Sequence, residues 1–376
     1  MERAALGDGR ALAELARFPE AALDIVRHLR SNEEAPWPIA KVLVDVVAPE
    51  VEGELIALFE EAANPDIALI AARALLRVSS PRGIDALARG LRDERRRMSI
   101  DALGDSRRDE ARAPLEKELD RLIEDTGLSL DSEGSDFGED VDPADVELVP
   151  LVLANLAKVG SRRPEHRLLL TLLRLEVDDP YFGAEAIRAD AALATKVVVV
   201  EGMVPALAAF IDAEPSREAV DGALDALFHL GTRDALGVIA ETASKPGLAQ
   251  RHATYRLDDL VAPIGAPSAP LEQLLESAAR MLTKMEPGIC HRAGVPLRIH
   301  DLEVALTVPE RRVAVLEELE IITAAWIGYD RYLGEASWID HPSRFRAWLE
   351  THGADYPVGG LFKSGRQMNE PSETSR

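Results

Sequence analysis

Residues 64–93 encode two short amphipathic helices separated by a break, and this unit of about thirty residues recurs along much of the chain. In its first helix Ile67, Ile70, Ala71, Ala74, Leu75 and Val78 follow i, i+3, i+4, i+7, i+8, i+11 spacing, which places them on one stripe. Ser79-Ser80-Pro81 then interrupts the pattern. Ser80 is suited to cap a second helix and Pro81 to its first position, where a missing amide costs nothing. Ile84, Leu87, Ala88 and Leu91 repeat the stripe. Helices this short are marginal alone, so such units must stack on one another to close a common core.

The same pattern is expected downstream. Ala102-Leu103-Gly104, Val159-Gly160 and Leu230-Gly231 each read as the close of a first helix, with glycine at the left-handed position that follows. Second helices then carry Leu115, Leu119 and Leu122; Leu168, Leu169 and Leu172; and Ala235, Val238 and Ile239. Another pair is expected within residues 183–212, where residues 197–200, all valine, suit a strand as well as a helix and are read as helix from their neighbours. Less regular helices are expected at residues 12–18, 21–29, 39–47 and 54–62. Hydrophobic residues make up 47% of the chain and aromatics only 5%, which together with abundant Ala and Leu favours close helix packing. The expected class is all-α.

These units resemble HEAT repeats, including the short HEAT-like variety of bilin lyases. The residues that carry the resemblance are 65–93, Ala102-Leu103-Gly104-Asp105 through Leu119, and 223–239 with its Leu-Gly-Thr-Arg-Asp-Ala-Leu core. It covers roughly residues 10–242. The resemblance implies a right-handed α-solenoid of antiparallel helix pairs of the HEAT/ARM type and, by family habit, protein binding. It raises catalytic precedents as well. HEAT-repeat deoxyhypusine hydroxylases use His-Glu dipeptides, and none of the eight histidines here precedes a glutamate. HEAT-like DNA glycosylases need a basic face for phosphates, whereas this chain carries 66 acidic against 43 basic residues, a net charge of −23. That balance disfavours nucleic acid and anionic membrane surfaces as partners. Basic clusters at Arg95-Arg96-Arg97, Arg107-Arg108, Arg162-Arg163 and Arg311-Arg312 stand beside acidic residues or at helix starts and turns, and are expected to be solvated or locally paired.

Residues 124–147 hold ten carboxylates and no Lys or Arg, interleaved with Gly and Ser, and read as an acidic insertion loop. Without them the chain still carries −13. Asp131, Glu133, Asp136, Asp140 and Asp142 offer hard oxygen ligands, but counting from Asp131 the glycine falls at position four and Asp142 at position twelve, which is not EF-hand spacing. No calcium site is assigned. Cys290 is the only cysteine, so a Cys-based zinc site and an intrachain disulfide are both excluded. Cys290 and His291, with Glu286 and His300 nearby, lack further ligands at helical spacing and are read as structural.

Beyond about Pro263 the pattern changes. Eight of the seventeen aromatics fall within residues 326–362, and the Pro- and Gly-rich residues 261–270 read as a hinge into a helical C-terminal cap, residues 263–362, followed by a polar tail. Thr307-Val308-Pro309-Glu310 has capping-box spacing and opens a helix towards Trp326; a shorter helix is expected at residues 343–352, ended by Gly353. Trp326, Tyr329, Tyr332, Trp338, Phe345 and Trp348 fit either a partner hot spot or the core of a solenoid cap. Gly294-Val295-Pro296-Leu297 through Glu320 resembles uncharacterised bacterial repeat proteins linked to secretion gene clusters.

The chain is accordingly expected to be a cytoplasmic, non-enzymatic scaffold that binds a basic protein partner along its concave face, with no cofactor or metal and no nucleic-acid or membrane partner. No apolar stretch of signal-peptide or membrane-spanning length argues otherwise. The candidate partner-binding residues are Asp131, Glu133, Asp136, Glu139, Asp140 and Asp142 of the acidic insertion, together with Trp338 and Trp348. The alternative is a HEAT-like enzyme or chromophore lyase with a small-molecule site in the groove.

Overall fold

The computed structural model describes residues 18, 21–31, 39, 42–43, 49–78, 80–130, 141–161, 163–176, 182–213, 216–261, 268–285, 291–292, 295–296, 341–355, 362–363 and 366–367. The chain divides within one helix into two units, residues 1–118 with 328–340 and residues 119–327 with 341–376. The first contains α1 (Ala21–Arg30), α2 (Glu52–Glu61), α3 (Pro65–Val78), α4 (Pro81–Arg89) and α5 (Arg96–Asp105), and the dividing helix is α6 (Arg112–Thr126). The second contains α7 (Pro143–Lys158), α8 (Leu168–Leu172), α9 (Ala184–Ala194), α10 (Met203–Ala213), α11 (Arg217–Leu230), α12 (Arg233–Ser244), α13 (Gln250–Val261), α14 (Leu271–Leu282) and α15 (His341–His352).

Packing follows sequence order in both units. In the first, α1 packs on α2, α2 on α3, α3 on α4 and α4 on α5, while α2 also meets α4 and α3 meets α5. In the second, α7, α9, α11 and α13 lie side by side as one layer, and α10, α12 and α14 form another. Each of α10–α13 also packs on the helix that follows it. This is an all-α stack of helix pairs with the packing order of an α-solenoid. Two antiparallel ladders of two residues each, β1 (His291–Arg292) with β2 (Val295–Pro296) and β3 (Phe362–Lys363) with β4 (Arg366–Gln367), are the extended pairings among the described residues. The polar tail expected from Lys363 therefore begins with paired backbone.

Most residues of the expected stripes are core, although Val78, Ala88 and Val238 are only half-buried. Ile67, Ile70, Ala71, Ala74 and Leu75 of α3 are buried, as are Ile84 and Leu87 of α4 and Leu115, Leu119 and Leu122 of α6. Ser80 caps α4 by accepting from the Gly83 amide at 3.1 Å, with Pro81 at the first position. Its hydroxyl donates to the buried Glu52 carboxylate of α2, so the cap also ties two helices together. Gly160 and Gly231 take the left-handed conformation after α7 and α11, at φ of 78° and 63°.

Three local expectations are corrected. Gly104 does not close α5: it remains helical and buried, and the left-handed residue is Arg107, at φ 55°. There the Ser106 hydroxyl donates to the Leu103 carbonyl and the Arg107 amide to that of Gly104, finishing the last turn without glycine. Residues 197–200 are neither helix nor strand. The Thr195 hydroxyl folds back on the Ala192 carbonyl at 2.6 Å, a tight turn buries Val198, and α10 begins after Gly202 at φ 81°. The acidic insertion is shorter than its composition indicates, because α6 continues to Thr126, whose hydroxyl donates to the Leu122 carbonyl, and α7 begins at Pro143. Glu124 and Asp125 thus belong to α6, and Asp145 and Glu147 to α7. Helix α14, beyond the hinge expected at residues 261–270, packs on both α12 and α13, so the paired order runs on to Leu282.

Candidate functional site

Two features of the second unit stand out, one on each layer. On the α10, α12, α14 layer, Thr232 caps α12 by accepting from the Ala235 amide at 3.4 Å, and Ala235, Leu236, Ile239 and Ala243 are turned into the core. The opposite stripe of α12 therefore carries Arg233, Asp234, Gly237, Val238 and Glu241. These residues, with Val204 and Pro205 from the start of α10 and Leu282 from the end of α14, line a cleft of about 520 Å³. Gly237 faces open space there: a Cβ built on it meets nothing within 4 Å. The lining thus mixes apolar Val204, Pro205, Val238 and Leu282 with charged Arg233, Asp234 and Glu241. Glu241 pairs with Lys245 at 2.8 Å, and both side chains are well exposed.

On the α9, α11, α13 layer the charges are satisfied among themselves. Asp225 of α11 receives the Arg256 Nε of α13 at 2.6 Å, has His252 Nε2 at 2.8 Å, and is met by Lys196 Nζ at 2.9 Å from the turn after α9. His252 Nδ1 lies 3.5 Å from Asp221, and Arg256 Nη1 donates to Asp259 at 3.4 Å. The Arg256 guanidinium also stands 4.9 Å above the Phe228 ring. Burial works to raise the Asp225 carboxyl, but the His252 hydrogen bond and the charges of Lys196 and Arg256 hold it far below the usual carboxylate range. Burial likewise opposes the Arg256 charge, and Asp225 more than restores it. Asp225 is met by Lys196 and Arg256 together, so this network joins three neighbouring helices of one layer, while the buried Asp221 Oδ1 at its edge makes no hydrogen bond.

In the sequence these groups are visible only as carboxylates one turn apart, Asp221 and Asp225, and a histidine and an arginine one turn apart, His252 and Arg256. That signal is legible once α11 and α13 are known to be neighbours. Gly237, between Asp234 and Glu241 on one helical stripe, was the available signal for the cleft.

Of the residues expected to bind a partner, Asp131, Glu133, Asp136, Glu139, Asp140 and Trp338 lie outside the described residues, as do Cys290, Glu286 and His300. Asp142 is an N-cap: its Oδ1 accepts from the Ala144 amide at 2.9 Å at the start of α7. Trp348 is half-buried on α15, stacked between Phe345 (centroids 5.9 Å apart) and His352 (4.9 Å), while Phe345 and Leu349 of the same helix are buried. Four members of the basic clusters are locally paired: Arg95 with Asp93 at 2.9 Å, Arg96 with the buried Glu118, Arg108 with Glu110 at 2.7 Å, and Arg163 with Asp120 at 2.6 Å.

The first unit has a cleft of its own, about 750 Å³, where Leu29, Leu58, Pro65 and Ile67 meet the Arg30 and Glu61 ion pair. Between α7 and α8, His166 is buried with its Nδ1 2.8 Å from the Arg163 carbonyl. Burial pushes this imidazole below its ordinary value near 6.5, against the upward pull of the Arg163 and Leu153 carbonyls. The unfolded chain therefore takes up a proton that the folded chain resists, and stability should fall as pH drops through 6.5. Urea unfolding midpoints measured from pH 7.5 to 5.5 should decline in the native chain and flatten in His166→Gln.

Among the described residues no group of three or more His, Cys, Asp or Glu side chains is placed to hold a metal ion, and no helix is long and apolar enough to cross a membrane. No family model matches the chain, and no curated protein matches it in sequence.

Proposed function

We propose that this chain is a HEAT-like, non-enzymatic scaffold that binds a protein of basic character on the layer formed by α10, α12 and α14. The observation that carries this reading is the cleft on that layer, bordered by helices whose exposed residues include Asp212, Asp234, Glu241, Glu272 and Glu276. The chain's charge of −23 would speed encounter with a basic surface and disfavour acidic competitors. An inhibitor of a basic enzyme, or an accessory to a secretion assembly, would use such a surface.

Quantitative affinity capture from the source organism tests it. One partner should be recovered in stoichiometric yield, and lost when Asp212, Asp234 and Glu241 are together changed to lysine. A stoichiometric small molecule or chromophore bound to the purified chain would instead make the cleft, whose volume suits a small ligand, the pocket of an enzyme or lyase.

A further inference from the structure

We infer that the α10, α12, α14 cleft receives a short extended segment of the partner in which one apolar side chain is flanked by lysine or arginine. The inference rests on the scaffold reading and specifies the chemistry of what the cleft takes.

Three features of the cleft define that segment. Gly237 has no side chain and a Cβ there meets open space, and Val204, Val238 and Leu282 of the same lining are apolar, so the cleft has room and apolar surface for one aliphatic side chain. Asp234 and Glu241 stand seven residues apart on α12, about 10 Å along its axis. On one face of an extended chain, residues two positions before and two after a central one are about 13 Å apart, a span that lysine side chains close easily. A Lys-x-Leu-x-Lys segment therefore sets leucine over Gly237 and an ammonium near each carboxylate. Asp234 has no partner among the described residues, and the pair that Glu241 makes with Lys245 is between exposed side chains, too weak to exclude a competing cation. Arg233, at the first position of α12, likewise has no partner among the described residues, and its fork of N–H donors suits the carbonyls of an extended backbone.

The test is fluorescence anisotropy with the full chain and two labelled peptides in a Gly/Ser background, one carrying Lys-x-Leu-x-Lys and the other Glu-x-Leu-x-Glu. The basic peptide should bind, more weakly as salt rises, and the acidic one at least tenfold less well. Gly237→Trp, which fills the cleft from a position where a Cβ meets open space, and Asp234→Lys, on an exposed position, should each weaken the basic peptide at least tenfold. Gly237→Ala should keep binding, and because it removes a helix-interior glycine it should raise stability by the change in unfolding midpoint. Equal affinity for the two peptides, or unchanged affinity in Gly237→Trp and Asp234→Lys, overturns the assignment even where a partner is captured. Peptide binding abolished by these variants, with no partner captured, upholds the cleft chemistry and counts against the scaffold reading.

Discussion

Asp225→Ala is expected to cost about 3–5 kcal/mol of stability, because it strands cations that the fold has withdrawn from water. Arg256 is 14% exposed and Lys196 23%, and both point at a carboxylate itself only 15% exposed. With that carboxylate gone, Asp259 at 3.4 Å is the remaining anion for Arg256, and Asp221 at 3.5 Å for His252, among the described residues. Urea unfolding followed by far-ultraviolet circular dichroism would show the loss as a lower midpoint. The double change Asp225→Leu with Arg256→Met should recover much of it, since replacing both buried partners by apolar groups removes the uncompensated charge. The pH dependence has a definite sign. The Asp225 carboxyl is depressed in the folded chain, so its contribution is complete above its ordinary value of 3.8 and is lost as pH falls below that. Asp225→Ala should therefore flatten the acid limb of the stability profile below pH 4, a window distinct from that of His166 near 6.5. Loss of less than about 1 kcal/mol would show that the network is no stronger than an exposed ion pair.

Gly90→Ala should destabilise the first unit by about 1–3 kcal/mol. A Cβ on Gly90 would fall 2.3 Å from the Ser99 hydroxyl and 2.9 Å from Phe59 Cζ, both in the core. Ser99 is fully buried and its hydroxyl has no hydrogen-bond partner, so Ser99→Ala alone should be neutral or stabilising. Combined with Gly90→Ala it should relieve the closer clash and leave the one with the Phe59 ring. The double variant is thus expected to unfold at a temperature between those of the native chain and Gly90→Ala. A single variant that melts with the native chain would mean that Ser99 and Phe59 both move aside at no cost.

Local grammar was readable where one residue decides the outcome. Gly160 and Gly231 announced their left-handed turns, and Ser80-Pro81 announced a capped helix, because capping and positive φ depend on near neighbours. Gly104 misled because it is used for burial inside α5 while Arg107 makes the turn. The four consecutive valines misled because periodicity cannot show that the turn after α9 must bring Lys196 to Asp225. The network and the cleft were not legible, since each depends on which helices are second neighbours. Proline and glycine before α14 made that helix read as part of another module, although its packing continues the stack.

In a stack held together only by adjacent pairs, each pair can fray nearly independently of the rest. Asp225 joins α11, α13 and the turn after α9 through polar contacts that fail together, so it binds three neighbouring members of one layer into one block of shared fate. Deleting or grafting a single helix pair from this region would break charge balance in both neighbouring pairs. The smallest portable segment of this array is consequently larger than its thirty-residue spelling implies.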